Sequence, residues 1–130
     1  MKAFNRALIE EFRANHGQLS GPMAGRSLMI LTTTGARTGQ PRTVVLGYGK
    51  QGDRYVVIAS GNAAPSDPAW YRNLQAHAIG TVEVGAERFE VRASTANSGE
   101  RDQLAAAVPW FESQQKLTSR QIPIVVLTRA

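Results

Sequence analysis

The sequence predicts an α+β fold in which about six mainly antiparallel strands form a small closed or half-closed barrel, with helices in the connections. Three observations carry this. Residues 81–85 and 88–93 alternate cleanly, with Val82, Val84, Phe89, Val91 and Ala93 inward and Glu83, Arg88, Glu90 and Arg92 outward. The run from Tyr55 to Ala59 is apolar on both faces, as a doubly covered strand must be. Short hairpin connections, at residues 51–53 and 85–87, outnumber helical crossovers, which argues against a doubly wound parallel sheet.

The elements come in order along the chain. Over residues 1–17, Phe4, Leu8 and Phe12, with Ile9 beside them, keep helical spacing, while Arg6, Glu10 and Arg13 fall elsewhere on the wheel. His16 and Gly17 stop this amphipathic helix, whose apolar face either docks on the core or meets a membrane surface. Gly21, Pro22 and Gly25 mark an irregular connector. Strands are predicted over 28–34, 43–50 and 54–60. Asp67 as N-cap and Pro68 at the first helical position open a helix through Leu74. Asn97 with Glu100 three residues on makes a capping box for a helix through Leu104, which Pro109 ends. Residues 110–117 add another turn or two, and a last strand spans 122–127. Residues 1–130 read as one domain.

Composition narrows the chemistry. The absence of cysteine excludes disulfides, thiolate metal sites and thiol nucleophiles. His16 and His77 lie far apart without ligand-like spacing, so no metal is expected. No stretch approaches the roughly 18 apolar residues of a membrane span, no signal peptide is expected, and a soluble cytoplasmic protein is the reading. Net charge is +5. Most of the excess lies in the first third, where Lys2, Arg6, Arg13, Arg26, Arg37 and Arg42 face only Glu10 and Glu11. That implies an acidic partner, which charge alone does not identify: a phosphorylated small molecule, a nucleic acid or an anionic membrane. Nucleic acid ranks last, because no basic and aromatic residues interleave.

The segment Leu31 to Thr43 is the most informative. Apolar strand residues give way to threonines, Gly35, Arg37, Gly39 and Arg42, then return at Val44 and Val45. Backbone N–H groups, hydroxyls and guanidinium forks between two buried strands suit a phosphorylated or carboxylated ligand; as a lone turn it would be a solvated hairpin. Gly47, Gly49 and Gly52 match the dinucleotide spacing G-x-G-x-x-G, but they precede a strand rather than a helix and read as strand-end and hairpin glycines. A buried strand delivers Ser60 into a small-residue loop that leads to a helix start at Pro68, a place for a flat anionic ligand. Trp70 and Tyr71 offer aromatic surface there or face the core. Ser60 has no histidine near it in sequence, and no carboxylate pair stands in a polar loop. A cofactor would therefore supply the reactive atom of any enzyme here.

Together, Leu31-Thr-Thr-Thr-Gly with Thr38-Gly-Gln-Pro-Arg42, the Gly52 to Val57 segment, Ala59-Ser60, Pro68 with Trp70-Tyr71 and Asn73-Leu74, and Ile122-Pro-Ile-Val-Val126 resemble the deazaflavin-dependent nitroreductase family. Phe4-Asn5, Ile9 to Arg13 and Gly25-Arg26 are similar to its N-terminal signature. The resemblance implies a split β-barrel and the coenzyme F-420, whose phosphodiester and oligoglutamate tail would explain the basic excess. It implies that Ala36, Arg37 and Thr38 bind the phosphate region and that Arg42, Thr43, Val44 and Val45 continue the site. It implies further that Ile58, Ala59, Ser60 and Gly61 line the ring, that Ala69, Trp70, Tyr71, Arg72 and Asn73 frame its other side, and that Phe111 contributes. Ser60 would position the acceptor or the ring. From charge alone, Lys2, Arg6 and Arg13 would meet the glutamates.

The chain departs from that family's pattern at the acceptor pocket. Val108, Phe111 and Gln114 stand where tyrosines are expected, and Gly47 replaces another, with Tyr48 following. Position 36 is alanine where a basic residue often sits. The expected activity is reduction of a small organic acceptor, of quinone, enone or nitroaromatic type, by the reduced coenzyme. Alternatives are an FMN-binding oxidoreductase and a non-catalytic carrier of small molecules or lipid on the same fold. Monomer and homodimer both stay open, as does membrane contact through the first helix.

Overall fold

A computed structural model of the chain describes residues 3–19, 27–61 and 63–130, with the backbone alone for residues 3–5. The expected connector at Gly21, Pro22 and Gly25, and the basic residues Lys2 and Arg26, lie outside the described residues. The strands are β1 (Leu28–Thr34), β2 (Pro41–Gly47), β3 (Gly49–Gln51), β4 (Arg54–Ile58), β5 (Ile79–Val84), β6 (Glu87–Thr95) and β7 (Ile124–Arg129). They form one sheet in the order β2-β1-β5-β6-β7-β4-β3, with antiparallel neighbours throughout.

This order dictates the curl. β2 and β3 occupy opposite edges, yet only Tyr48 separates them in the chain. A residue spans less than about 4 Å, so the two edges must approach and the sheet bends into a half-barrel. The single strand expected over 43–50 is therefore two, and the count is seven rather than about six. The flanking glycines fit this crossing point: a Cβ at Gly47 would lie 2.9 Å from Cζ2 of Trp110, and one at Gly49 would overlap the carbonyl group of Ala107.

Alternation sorts the strand residues into two layers. Met29, Leu31, Tyr55, Val57, Ala59, Val82, Val91 and Leu127 fill the barrel interior, with Phe89, Val84 and Ala93 packed against them. Val56 and Ile58 point outward beneath α3 (Arg101–Ala105) and α4 (Phe111–Lys116), where Leu104, Val108 and Ile122 cover them. The doubly apolar strand is thus covered on both faces, as expected. Helix α2 (Ala69–Ala76) plugs the interior with Trp70, Tyr71 and Leu74, and the hydroxyls of Tyr71 and Thr95 meet at 2.8 Å.

Helix α1 (Ala3–Ala14) packs Ile9 and Phe12 on Ile30 and Val45, so its apolar face serves the protein's own core. His16 (φ 54) and Gly17 (φ 88) end it in the left-handed region. Glu83 lies on the outer face as alternation requires, but Arg13 covers it with two hydrogen bonds of 2.8 and 2.9 Å. Arg13 is thereby engaged within the fold, which corrects its assignment to an acidic ligand. Asp67 is a second correction. The cap position is Pro68, without a side-chain cap, because the Asp67 carboxylate turns to Arg120 at 2.9 Å. The Asn97–Glu100 box does form, with reciprocal bonds of 3.2 and 3.1 Å just before α3.

Candidate functional site

The β1–β2 turn is closed by two backbone bonds, from Gly35 N–H to the Gln40 carbonyl at 2.8 Å and from Gly39 N–H to the Gly35 carbonyl at 2.9 Å. Gly39 sits at φ 71. Ala36, Arg37 and Thr38 are exposed at its tip. Asn73, buried in α2, accepts the Ala36 N–H at 3.0 Å and donates to the Thr33 hydroxyl at 3.1 Å. Turn and helix are one unit, which the spacing of residues 36 and 73 did not reveal. Arg42 pairs opposite Thr33 and shares the interior face with Val44 at this rim. Among the described residues, the guanidinium groups of Arg37 and Arg42 have no acidic partner, and the N–H groups of Arg37 and Thr38 make no hydrogen bond. Thr43 and Val45 take the other face, Thr43 beside Thr32 (3.3 Å between hydroxyls) and Val45 against α1. The four-residue run expected along β2 therefore divides between two faces.

The expected ring-lining run divides in the same way. Ala59 faces the interior, while Ile58 is buried in the outer layer and offers no side chain to an interior ligand. Ser60 is half-buried and Gly61 is exposed at φ 55. Trp70 and Tyr71 are 7% and 6% exposed, with ring centroids 6.2 Å apart, and serve the core. Ala69 and Arg72 remain exposed beside them, the Arg72 guanidinium donating to the Asp67 carbonyl.

Sequence reasoning missed Arg120. Its guanidinium donates to the carbonyls of Ala59 (2.8 Å), Ser60 (2.9 Å) and Ala64 (2.8 Å) and to the Asp67 carboxylate (2.9 Å). No local pattern could have flagged it, since its partners lie 53 to 61 residues away. A cleft of about 530 Å³ beside the turn, lined by Thr32, Thr34, Gly39, His77 and Thr81, was likewise not foreseen.

The expected acceptor-pocket residues separate. Tyr48 is half-buried and stacks edge-on against Tyr55 at 5.5 Å; burial raises its phenol pKa, and the neighbouring Tyr55 adds to this. Val108 is 1% exposed in the outer core, so it lines no pocket; the turn after α3 points it inward beneath that layer. Phe111 lines a cavity of about 360 Å³ on the outer side, with the Arg101 guanidinium 5.8 Å from its ring centre. Gln114 is half-buried, and its Oε1 is buried without a hydrogen-bond partner among the described residues. Trp110, next to Phe111, meets β2 at Gly47, the end opposite the arginine turn and roughly 20 Å from it along the strand.

Comparison with known proteins bears on this arrangement. The sequence profile of the family described as F420H(2)-dependent quinone reductase matches residues 4–129. The chain is similar to the F420H(2)-dependent quinone reductase Rv1261c of Mycobacterium tuberculosis, with 36% identity over 129 residues covering 91% of this chain and 85% of that protein. Among solved structures it is similar to the F420-H2 dependent reductase FDR-A, with 31% identity and a TM-score of 0.68 over 78% of this chain and 94% of that one. A solved chain described as a domain-swapped dimer shows 28% identity and a TM-score of 0.71 over 94% and 92% of the two chains.

Proposed function

The chain belongs to the F420H(2)-dependent quinone reductase family, and from that premise we propose that the Arg37 turn and the Ala59–Gly61 loop hold coenzyme F-420. The protein is an oxidoreductase that uses this coenzyme to reduce a small organic acceptor of the quinone class; FMN and a non-catalytic carrier role are not favoured. Residues 1–130 act as one coenzyme-binding domain in this reading.

One observation carries the assignment of residues: Arg37 and Arg42 are two exposed guanidiniums without acidic partners among the described residues, on a rim that Asn73 fixes to α2. Unpaired cations beside free backbone N–H groups suit a phosphodiester and the carboxylates beyond it. Gly61, exposed and without a side chain, lets a flat ring approach the loop. When bound and reduced, the deazaflavin supplies a hydride. The protein binds its acidic tail, orients the ring against the acceptor and excludes water. The Ser60 hydroxyl positions the acceptor. The Tyr48 phenol, half-buried and with its pKa raised by that burial, can donate a hydrogen bond to an acceptor oxygen.

Titration of the protein with coenzyme F-420 and with FMN, followed by coenzyme fluorescence, tests the cofactor. Saturable deazaflavin binding is expected, and preferential FMN binding would overturn the reading. Anaerobic mixing of the reduced coenzyme with a naphthoquinone tests turnover through return of the oxidised coenzyme's absorbance. Enone and nitroaromatic acceptors form the second panel. The homodimer finds support in the similar chain described as a domain-swapped dimer, and sedimentation velocity separates it from a monomer. Peripheral membrane contact through α1 lacks support, because Ile9 and Phe12 pack on the sheet. No helix among the described residues is long and apolar enough to cross a membrane.

A further inference from the structure

We propose that Arg120 is the positioning residue of the ring-side loop: by gripping the carbonyls of Ala59 and Ser60 it aims the N–H groups of Ser60 and Gly61 at an oxygen of the bound coenzyme or acceptor. The inference rests on the reading that this loop faces the coenzyme.

In a trans peptide the C=O of one residue and the N–H of the next point in opposite directions. The carbonyls of Ala59 and Ser60 both accept from the same nitrogen of Arg120, at 2.8 and 2.9 Å. The next N–H groups along the chain, of Ser60 and Gly61, therefore point away from it. Among the described residues neither makes a hydrogen bond. Gly61, at φ 55, bends the chain directly after them. Successive N–H groups in such a bend form a concavity suited to a carbonyl or anionic oxygen.

The loop has a backbone closure of its own, the Ala64 N–H donating to the carbonyls of Ser60 (3.0 Å) and Gly61 (3.3 Å), and Arg120 adds side-chain anchors to it. Ala63 stands at φ 61, a left-handed conformation unfavourable for a non-glycine residue. It lies between two Arg120 anchor points, Ser60 and the Ala64 carbonyl. Arg120 is itself fixed from behind, since Gln115 donates to its carbonyl at 2.7 Å and accepts the Ile122 N–H at 2.9 Å. The guanidinium is mostly buried, with 16% side-chain exposure, and its fork geometry meets four acceptors that a lysine ammonium could not reach together. Arg120 touches neither substrate nor coenzyme; it acts through the backbone.

Arg120→Gln and Arg120→Lys are compared with the parent in three measurements. Amide exchange of the coenzyme-free protein over residues 60–67 should accelerate about tenfold or more in Arg120→Gln while strand β1 keeps its protection. The turnover number with a naphthoquinone should fall about tenfold or more, with coenzyme affinity weakened less than about fivefold. Arg120→Lys should recover only part of either loss. Loop protection and turnover within about twofold of the parent in a folded variant overturn the proposal. Loss of loop protection with full turnover also overturns it, leaving Arg120 a structural anchor. Should Arg120→Gln fail to fold, Arg120→Lys decides by the same criteria. Coenzyme titration of the parent runs alongside: the absence of saturable binding sinks the coenzyme reading itself, whereas saturable binding beside an unaffected Arg120 pair sinks the Arg120 proposal alone.

Discussion

Asn73 and Ala36, 37 residues apart in the chain, are joined by a hydrogen bond of 3.0 Å that fastens the arginine turn to the helix plugging the barrel. The other end of the same amide donates to Thr33, so both polar ends of Asn73, itself buried, are engaged in joining turn to helix. Asn73 therefore supports the site from beneath. In Asn73→Ala, the buried Thr33 hydroxyl and the Ala36 N–H lose their partner, at a cost of about 1–3 kcal/mol. The midpoint of thermal unfolding should fall by about 3–10 °C, and coenzyme binding should weaken together with it. Scanning calorimetry and coenzyme titration on the same preparation check both.

Arg37 and Arg42 should behave in the opposite way. Both are exposed without an acidic partner among the described residues, so removing either charge leaves the fold's own contacts intact. Arg37→Ala and Arg42→Ala should each weaken coenzyme binding by about 1–3 kcal/mol with melting unchanged. The salt dependence of binding should become shallower, because each lost arginine removes one screened attraction. Titrations at low and high ionic strength measure this, and an unaltered dissociation constant for either variant excludes that residue from the site.

Much of the fold was legible because local patterns report local structure. The alternation at 81–93, the doubly apolar Tyr55 to Ala59 run and the Asn97–Glu100 box all reappear in the folded chain. The break at Tyr48 was not legible, since sheet closure is a property of strand order rather than of any window. Asp67 preceded a proline in the manner of an N-cap, yet a distant arginine outcompeted the helix for its carboxylate. The arginine turn could be read from its residues, whereas its attachment through Asn73 and the loop's dependence on Arg120 are long-range contacts that spacing does not encode. Val108 entered the expected pocket by position alone, and its burial beneath the outer layer removes it.

The crossing point between the sheet edges makes Gly49 far less replaceable than Gly39. A Cβ on Gly49 would overlap the backbone carbonyl of Ala107, which no side-chain rotation relieves, while nothing lies within 4 Å of one on Gly39. At Gly39 the sole penalty is the left-handed φ of 71, about 1–2 kcal/mol for alanine. Gly49→Ala should cost more than about 3 kcal/mol or abolish soluble expression. Denaturant unfolding of the two variants side by side ranks them, and equal midpoints would mean that the outer layer yields at Ala107.

Acid should loosen the contact between α1 and β5. The hydrogen bonds from Arg13 hold the Glu83 carboxyl below its ordinary value of 4.5; burial opposes this, and the charges of Arg13 and Arg88 reinforce it. A carboxylate whose pKa is lowered by folding leaves the unfolded chain binding more protons over the interval between the two values, so stability rises with pH there. Its contribution is complete above the ordinary glutamate value and disappears as pH falls through the lowered one. Glu83→Gln keeps the side chain's size but cannot ionise, so Arg13 loses a charged partner at every pH. At about pH 7 the variant should be less stable by about 1 kcal/mol, the range of a partly exposed bidentate pair. As pH falls below about 4 the parent should lose that advantage and the two melting curves converge. Unfolding midpoints measured across this range test the point, and a constant gap between parent and variant would show that Glu83 does not titrate against Arg13.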